Sequence, residues 1–305
     1  MTKAMEAAAR QLRDAQIICK ENEPMARHTT FLVGGPAALF IEPVSVEETI
    51  QAVEICRQNG VKLLPLGRGS NMLVRECGLD LAVLHLGDNL AGIRELGDSR
   101  LEVLAGTKLA MLCKQTMRLG LSGLEFGYGI PGAVGGCVYM NAGAYGGEMQ
   151  QVVQSVTFLD EECGLQTLSG DELKFSYRHS VFSGRGCVIL SAVMQFTPGD
   201  PAAIDAAMEE FMSRRKEKQP LEYGSAGSTF KRPAGAYAAA LIDQCGLKGY
   251  QVGGAQVSEK HAGFVVNIGG ATADDVLAVM AHVAATVKEQ TGYVLEPEVM
   301  ILGGE

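Results

Sequence analysis

Hydrophobic and polar positions along the chain alternate between helix-like and strand-like spacing, which gives an α/β rhythm. Residues 1–27 predict a helix followed by an extended approach that ends near Pro24. Ser45-Val46-Glu47-Glu48 has the spacing of a capping box and opens a helix that ends at Gly60. Residues 61–66 form a short apolar run of strand length and lead into Gly67-Arg68-Gly69-Ser70-Asn71. Strands are predicted at 81–86 and 101–105. Thr107 stands as the cap of a helix whose apolar side carries Leu109, Leu112, Cys113 and Met117, closed by Gly120. Residues 152–160 and 187–196 predict longer strands. Near Pro198-Gly199-Asp200-Pro201 a boundary falls, because Asp200 suits an N-cap and Pro201 a first helical position. The helix that follows aligns Ile204, Met208, Phe211 and Met212. A helix at 234–245, a strand at 263–268, a helix at 272–290 and a strand at 298–302 make a second α/β unit.

Composition narrows the class. With 305 residues, 47% hydrophobic and 20% charged, the chain has material for a large core and two or three domains. Its 38 glycines cluster in loops, without a repeat period. The net charge of −9 disfavours nucleic acid and anionic membranes as partners. An anionic ligand would need a local basic patch, and residues 214–232 supply Arg214, Arg215, Lys216, Lys218, Lys231 and Arg232 against Glu217 and Glu222. The same charges also read as a solvated helix end that complements the helix dipole. Eight cysteines show no C-x-x-C pair and no zinc spacing, so no metal site is expected and they read as small core residues in a reducing compartment. With no signal-peptide-like start and no apolar run of roughly 18 residues, the expected location is cytoplasmic.

Two glycine-rich loops carry the candidate chemistry. Residues 67–71 follow a strand and read either as a phosphate cradle or as an ordinary turn. The second loop, Gly127-Tyr128-Gly129-Ile130-Pro131-Gly132-Ala133-Val134-Gly135-Gly136, contains a literal G-x-G-x-x-G. A dinucleotide fingerprint needs a clean strand before it and an acidic residue about 20 positions on. Residues 121–126 do not read as such a strand, and Pro131 interrupts the approach to the third glycine. The loop suggests close backbone approach to a nucleotide but not a Rossmann fold. Residues 141–147 continue the same small-residue surface. Ser228 follows the small residues Gly224-Ser225-Ala226-Gly227, with cations at Lys231 and Arg232. It stands outside any G-x-S-x-G elbow, so a hydrolase triad is not favoured. Arg178 in Tyr177-Arg178-His179-Ser180-Val181-Phe182 and Glu298 in Leu295-Glu296-Pro297-Glu298-Val299 complete a hydroxyl, a guanidinium and a carboxylate. His179 reads as a base or as a structural residue.

Taken in order, these motifs resemble the UDP-N-acetylenolpyruvoylglucosamine reductase family, over nearly all of residues 28–303. The resemblance rests on Thr29-Thr30-Phe31 with Gly34-Gly35-Pro36-Ala37, on both glycine loops, and on Asn141-Ala142-Gly143-Ala144-Tyr145-Gly146. Arg215-x-x-Lys218-Gln219-Pro220 and the segments around Arg178, Ser228 and Glu298 add to it. It implies an α+β chain of the family's shorter class. Residues 1–27 are the lead-in. Residues 28–199 are an FAD-binding domain of the vanillyl-alcohol-oxidase (PCMH) type in two subdomains, and 200–305 are a C-terminal α/β substrate-binding domain. It further implies noncovalent FAD, NADPH as co-substrate and a UDP-sugar substrate. Gly67, Arg68, Gly69, Ser70, Asn71, Gly129, Ile130, Pro131, Gly132, Ala133, Gly135 and Gly136 would hold the cofactor. Arg178 would stabilise charge on the substrate carboxylate, Glu298 would act protonated as a hydrogen-bond donor, and Ser228 would protonate C2. Tyr145, Arg214, Lys218 and Lys231 are candidate substrate contacts. Arg232 and Met300 depart from the family's common pattern, which has asparagine before Pro233 and a basic residue after Glu298-Val299. Two rivals are an oxidase of the same architecture and a nucleotide-sugar binding protein without redox chemistry. The latter would purify colourless.

Overall fold

Packing divides residues 1–304, which the computed structural model describes, into two units whose segments alternate along the chain. The first holds Met1–Glu21, Leu39–Arg68 and Leu81–Arg214; the second holds Asn22–Ala38, Gly69–Asp80 and Arg215–Glu305. The expected domains, 28–199 and 200–305, are contiguous stretches, whereas these units interleave. The helix Pro201–Lys218 changes unit between Arg214 and Arg215.

In the first unit, the helix Lys3–Asp14 buries Met5, Ala8, Ala9 and Leu12, a single stripe at helical spacing. The helix Val46–Gln58 is capped by Ser45, whose hydroxyl accepts from the Glu48 N–H at 3.1 Å. The Glu48 carboxylate accepts from the Val44 N–H at 2.9 Å, so the return half of the expected capping box lies one residue outside the cap. Most residues of a four-stranded sheet also belong to this unit; its order is Ile18–Pro24, Pro36–Glu42, Leu79–His85, Leu63–Leu66, with the last two parallel. A five-stranded antiparallel sheet runs Leu165–Ser169, Val153–Leu159, Val188–Gln195, Arg100–Leu104, Ile93–Gly97. Its central strand Val188–Gln195 is buried over most of its length, as its continuous apolar run requires. The edge strand Leu165–Ser169 escapes sequence reading because it is largely exposed and lacks apolar alternation.

Thr107 does not cap the helix Leu109–Arg118. The N-cap is Lys108, and the Thr107 side chain is buried instead, where it accepts from the Gly92 N–H at 3.0 Å and donates to the Gly92 carbonyl at 3.2 Å. A threonine just before a helix offers a hydroxyl to whichever unsatisfied backbone group is nearest, and here that group is Gly92, the residue before the strand Ile93–Gly97.

The second unit sets an antiparallel sheet, Gln251–Val252, Ala255–Val257 and Val265–Asn267, beside the helices Ala238–Gln244 and Ala273–Thr291. The long helix buries Val276, Val279, Met280, Val283 and Val287. Full burial of each such side chain contributes roughly 1.5–3 kcal/mol of transfer free energy. These residues share one core with Phe31, Val33 and Leu73 from early in the chain and Phe230, Leu295 and Val299 from late in it. The strand Met72–Val74 pairs in parallel with Met300–Leu302. Thr272 and Asp275 form a complete capping box at the start of the long helix, at 3.1 and 2.9 Å. Gly292, in the left-handed region, ends it.

Candidate active site

The two glycine loops approach each other at Gly67 and Ala133 in the first unit, where a Cβ on Gly67 would lie 3.3 Å from the Ala133 methyl. The turn Glu125–Gly127 precedes Gly129 and Gly132, and the strand before it, Leu121–Ser122, has two residues. This is the physical reason that the G-x-G-x-x-G spacing forms no Rossmann fingerprint. Within the second loop, the amides of Ile130, Gly132, Val134 and Gly135 donate to protein carbonyls. Those of Gly129 and Gly136 have no part in this backbone bonding among the described residues. Gly136 is exposed and faces open space where a side chain would stand. Pro131 and Arg68 are exposed, while Ile130, Ser70 and Asn71 are half-buried. Unspent amides on a glycine surface are what a phosphate oxygen requires, so these residues fit the pyrophosphate of FAD.

Gly69 is fixed for a different reason. Its φ is +59°, the Thr30 N–H donates to its carbonyl at 3.2 Å, and a Cβ there would collide with the His28 carbonyl oxygen. A residue with a side chain would be strained in backbone and in space alike.

Ser228 and Glu298 lie on neighbouring segments of the second unit. Phe230 and Pro297 form an antiparallel bridge, the Lys231 N–H donates to the Glu296 carbonyl at 2.8 Å, and the Glu298 N–H donates to the Thr229 carbonyl at 2.8 Å. Thr229 is buried; its N–H donates to the Gly263 carbonyl at 2.9 Å, and its hydroxyl accepts from the Val265 N–H at 3.0 Å. The adjacent Ser228 is exposed, and its hydroxyl forms no hydrogen bond among the described residues. A backbone anchored at Thr229 therefore presents a hydroxyl that the protein does not itself consume. Asn71 is tied to the same region: its side-chain amide donates to the Glu298 carbonyl at 3.2 Å, and its own carbonyl accepts from the Met300 N–H at 3.0 Å. Met300 thus serves through its backbone, a role that any non-proline residue can fill.

Arg178 belongs to the first unit, at the tip of a tight turn closed by two 3.1 Å bonds between Ser176 and His179. Its φ is +54°, and its guanidinium donates to the Gly143 carbonyl at 3.2 Å. His179 contributes its backbone to that turn. Asn141, fully buried, holds the turn in place. Its side-chain amide donates to the Ser176 carbonyl at 3.0 Å and the Glu148 carboxylate at 3.1 Å, and its oxygen accepts from the Gln150 N–H at 2.9 Å. Sequence reading placed Asn141 in a small-residue surface and missed this support. A buried asparagine with satisfied donors and acceptor is the signal, and only the fold reveals burial.

Among the expected substrate contacts, Tyr145 stacks on Phe211 with ring centroids 4.7 Å apart and planes 7° from parallel. Arg214 pairs with Glu210 one helical turn earlier, Lys231 lies 3.4 Å from Glu296, and Lys218 is exposed. Exposed pairs of this kind contribute about 0–1 kcal/mol each. They therefore cost little to break in favour of a phosphate. Arg232 lies over the Tyr237 ring at 3.9 Å. All eight cysteines are free thiols, and burial pushes those of Cys56 and Cys137 up to about 12. No group of metal-binding side chains occurs among the described residues.

Residues 37–169 match the FAD binding domain model, and residues 219–302 match that of the UDP-N-acetylenolpyruvoylglucosamine reductase C-terminal domain. The UDP-N-acetylenolpyruvoylglucosamine reductase of Syntrophomonas wolfei is 45% identical over 94% of this chain and 95% of its own. That of Listeria monocytogenes is 43% identical over 96% of this chain and 98% of its own. The crystal structure of the Thermus caldophilus reductase superposes with a TM-score of 0.80 at 34% identity, covering 94% of this chain and 99% of that one. The α+β class with an FAD-binding domain of the vanillyl-alcohol-oxidase type stands accordingly. Identity at this level over more than nine-tenths of the chain shows that the chain belongs to the UDP-N-acetylenolpyruvoylglucosamine reductase family.

Proposed function

We propose that the protein reduces the enolpyruvyl group of UDP-N-acetylenolpyruvoylglucosamine to give UDP-N-acetylmuramate, a peptidoglycan precursor. The observation that carries this reading is the exposed, unengaged Ser228 hydroxyl on a backbone paired with that of Glu298. Residues 67–71, 129–133, 135 and 136 would hold FAD noncovalently, and FAD when bound would carry hydride from NADPH to C3 of the substrate. Negative charge then develops at C2 and spreads into the substrate carboxylate. The guanidinium of Arg178, oriented by its bond to Gly143, stabilises that charge. Glu298 offers its carboxyl group to the same region as a hydrogen-bonding partner. Ser228 gives its proton to C2 and recovers one from solvent, which its exposure allows. Lys218, Lys231 and Arg214 neutralise the diphosphate, and Tyr145 forms part of the sugar's wall. A cytoplasmic location suits NADPH as the reductant and the free thiols.

The Ser228→Ala variant tests the assignment. It should bind FAD and accept hydride from NADPH at the wild-type rate. Its oxidation by the enolpyruvyl substrate should slow by about 10²–10⁴-fold, the usual cost of losing a positioned acid. Wild-type turnover in D₂O should place deuterium at C2. Oxidation of the variant at the wild-type rate would refute the role given to Ser228.

A further inference from the structure

We infer that Thr30 is a positioning residue for the Ser228 loop, and that its hydroxyl holds Ser228 in reactive register. Three polar groups of this one residue are engaged within the second unit. Its N–H donates to the Gly69 carbonyl at 3.2 Å, its carbonyl accepts from the Ser225 N–H at 3.0 Å, and its hydroxyl donates to the Ser225 carbonyl at 2.6 Å. Thr30 thus engages both backbone polar groups of Ser225, in the two peptide groups that flank its Cα, while holding the stretch that begins at Gly69 and leads to Asn71. Asn71 in turn donates to the Glu298 carbonyl at 3.2 Å. The two segments given to proton donation and charge stabilisation share Thr30 as a common anchor.

The grip extends one residue to each side. Gly224 packs so closely on the chain at Thr30 and Phe31 that a Cβ there would lie 2.9 Å from the Phe31 carbonyl oxygen and 3.1 Å from that of Thr30. Asn267 closes the arrangement, since its N–H donates to the Gly224 carbonyl at 2.8 Å and its side-chain amide to the Phe31 carbonyl at 3.0 Å. Beyond the grip lies Gly227, with φ +76° and no atom near its Cβ position. Ser228 follows, and the buried Thr229 anchors its far side. The serine therefore sits between a fixed point at Ser225 and a fixed point at Thr229, with a compliant glycine between. Releasing the Ser225 carbonyl lets that glycine rotate and moves the hydroxyl. Displacement of a reacting group by an ångström is enough to cost on the order of 10²-fold in rate.

The inference rests on Ser228 as proton donor, so the test separates the two. Thr30→Val removes the hydroxyl, keeps the shape and keeps both backbone bonds; Thr30→Ser restores the hydroxyl. Both variants should bind FAD with an unchanged visible spectrum and accept hydride from NADPH normally. Thr30→Val should slow oxidation by the enolpyruvyl substrate on the order of 10–100-fold, through kcat with KM little changed. Thr30→Ser should recover wild-type behaviour to within about twofold. In a Ser228→Ala background, Thr30→Val should add less than about twofold, because a positioning residue has nothing left to position. The inference fails if Thr30→Val oxidises at the wild-type rate. It fails equally if Thr30→Ser is as slow as Thr30→Val, or if Thr30→Val costs the same factor with and without Ser228. A Ser228→Ala enzyme that is itself unimpaired would bring down the proton-donor reading, and the role of Thr30 with it.

Discussion

At the scale of single residues, His261 links acidity to the backbone that carries Ser228. Its Nδ1 accepts from the Gly263 N–H at 3.1 Å, and the Gly263 carbonyl accepts from the Thr229 N–H. Only the neutral imidazole can accept in this way. Burial, with the charge of Lys248 adding to it, holds the imidazole's pKa below its ordinary value, although a backbone hydrogen bond acts in the opposite direction. A lowered native value means that the unfolded chain binds the proton more readily. The stabilisation is then fully present above the unfolded value of about 6.5 and is lost as pH falls through the native one. His261→Asn places a non-titrating acceptor near the same N–H. Melting temperature measured from pH 7.5 down to 5 should therefore fall less steeply in His261→Asn than in wild type; parallel curves would remove His261 from the acid response. The chemical types at Arg178, Ser228 and Glu298 were legible from their local motifs. Their supports were not, because Thr30 meets Ser225 across 195 residues and Asn267 meets Phe31 across 236. No local pattern marks a threonine or an asparagine whose partner lies so far away.

At the scale of elements, helices were the most legible feature, since caps and apolar stripes are local. The helix expected at 272–290 is Ala273–Thr291, with Thr272 and Asp275 at its start, a valine-rich buried face and Gly292 at its end. Thr107 shows the limit of the same reasoning, because its hydroxyl is taken by Gly92, just ahead of the strand Ile93–Gly97. The Thr272 cap carries an energetic expectation. Thr272→Ala leaves the Asp275 N–H without its side-chain acceptor and should lower stability by about 0.5–2 kcal/mol in urea unfolding. A smaller loss would mean that solvent satisfies that N–H in the variant. Short strands were harder. Met72–Val74 has three residues and is buried throughout, and nothing local tells such a run from the inside of a turn.

At the scale of the molecule, the alternation of segments between units was hidden, because composition and linkers mark only contiguous boundaries. The second unit draws Phe31 and Val33 from one early segment and Leu73 from another into the core built around the helix Ala273–Thr291. Residues 219–302, which match a C-terminal domain by sequence, therefore lack part of their own interior. A fragment of residues 215–305 should show no cooperative thermal transition by circular dichroism, whereas the whole chain should show one. A cooperative melt of that fragment would mean that the early segments are dispensable to the core.

The parallel pair of Met72–Val74 with Met300–Leu302 also sets an order of events during synthesis. A ribosome adding about 5–20 residues per second takes on the order of ten seconds or more to travel from one strand to the other. Through that interval the early strand has left the exit tunnel without its partner in the pair, while most of the first unit's chain is already available to fold. Completion of the second unit thus waits on a strand made long after its partner. It requires Met300–Leu302 to find a strand that has already spent that interval unpaired.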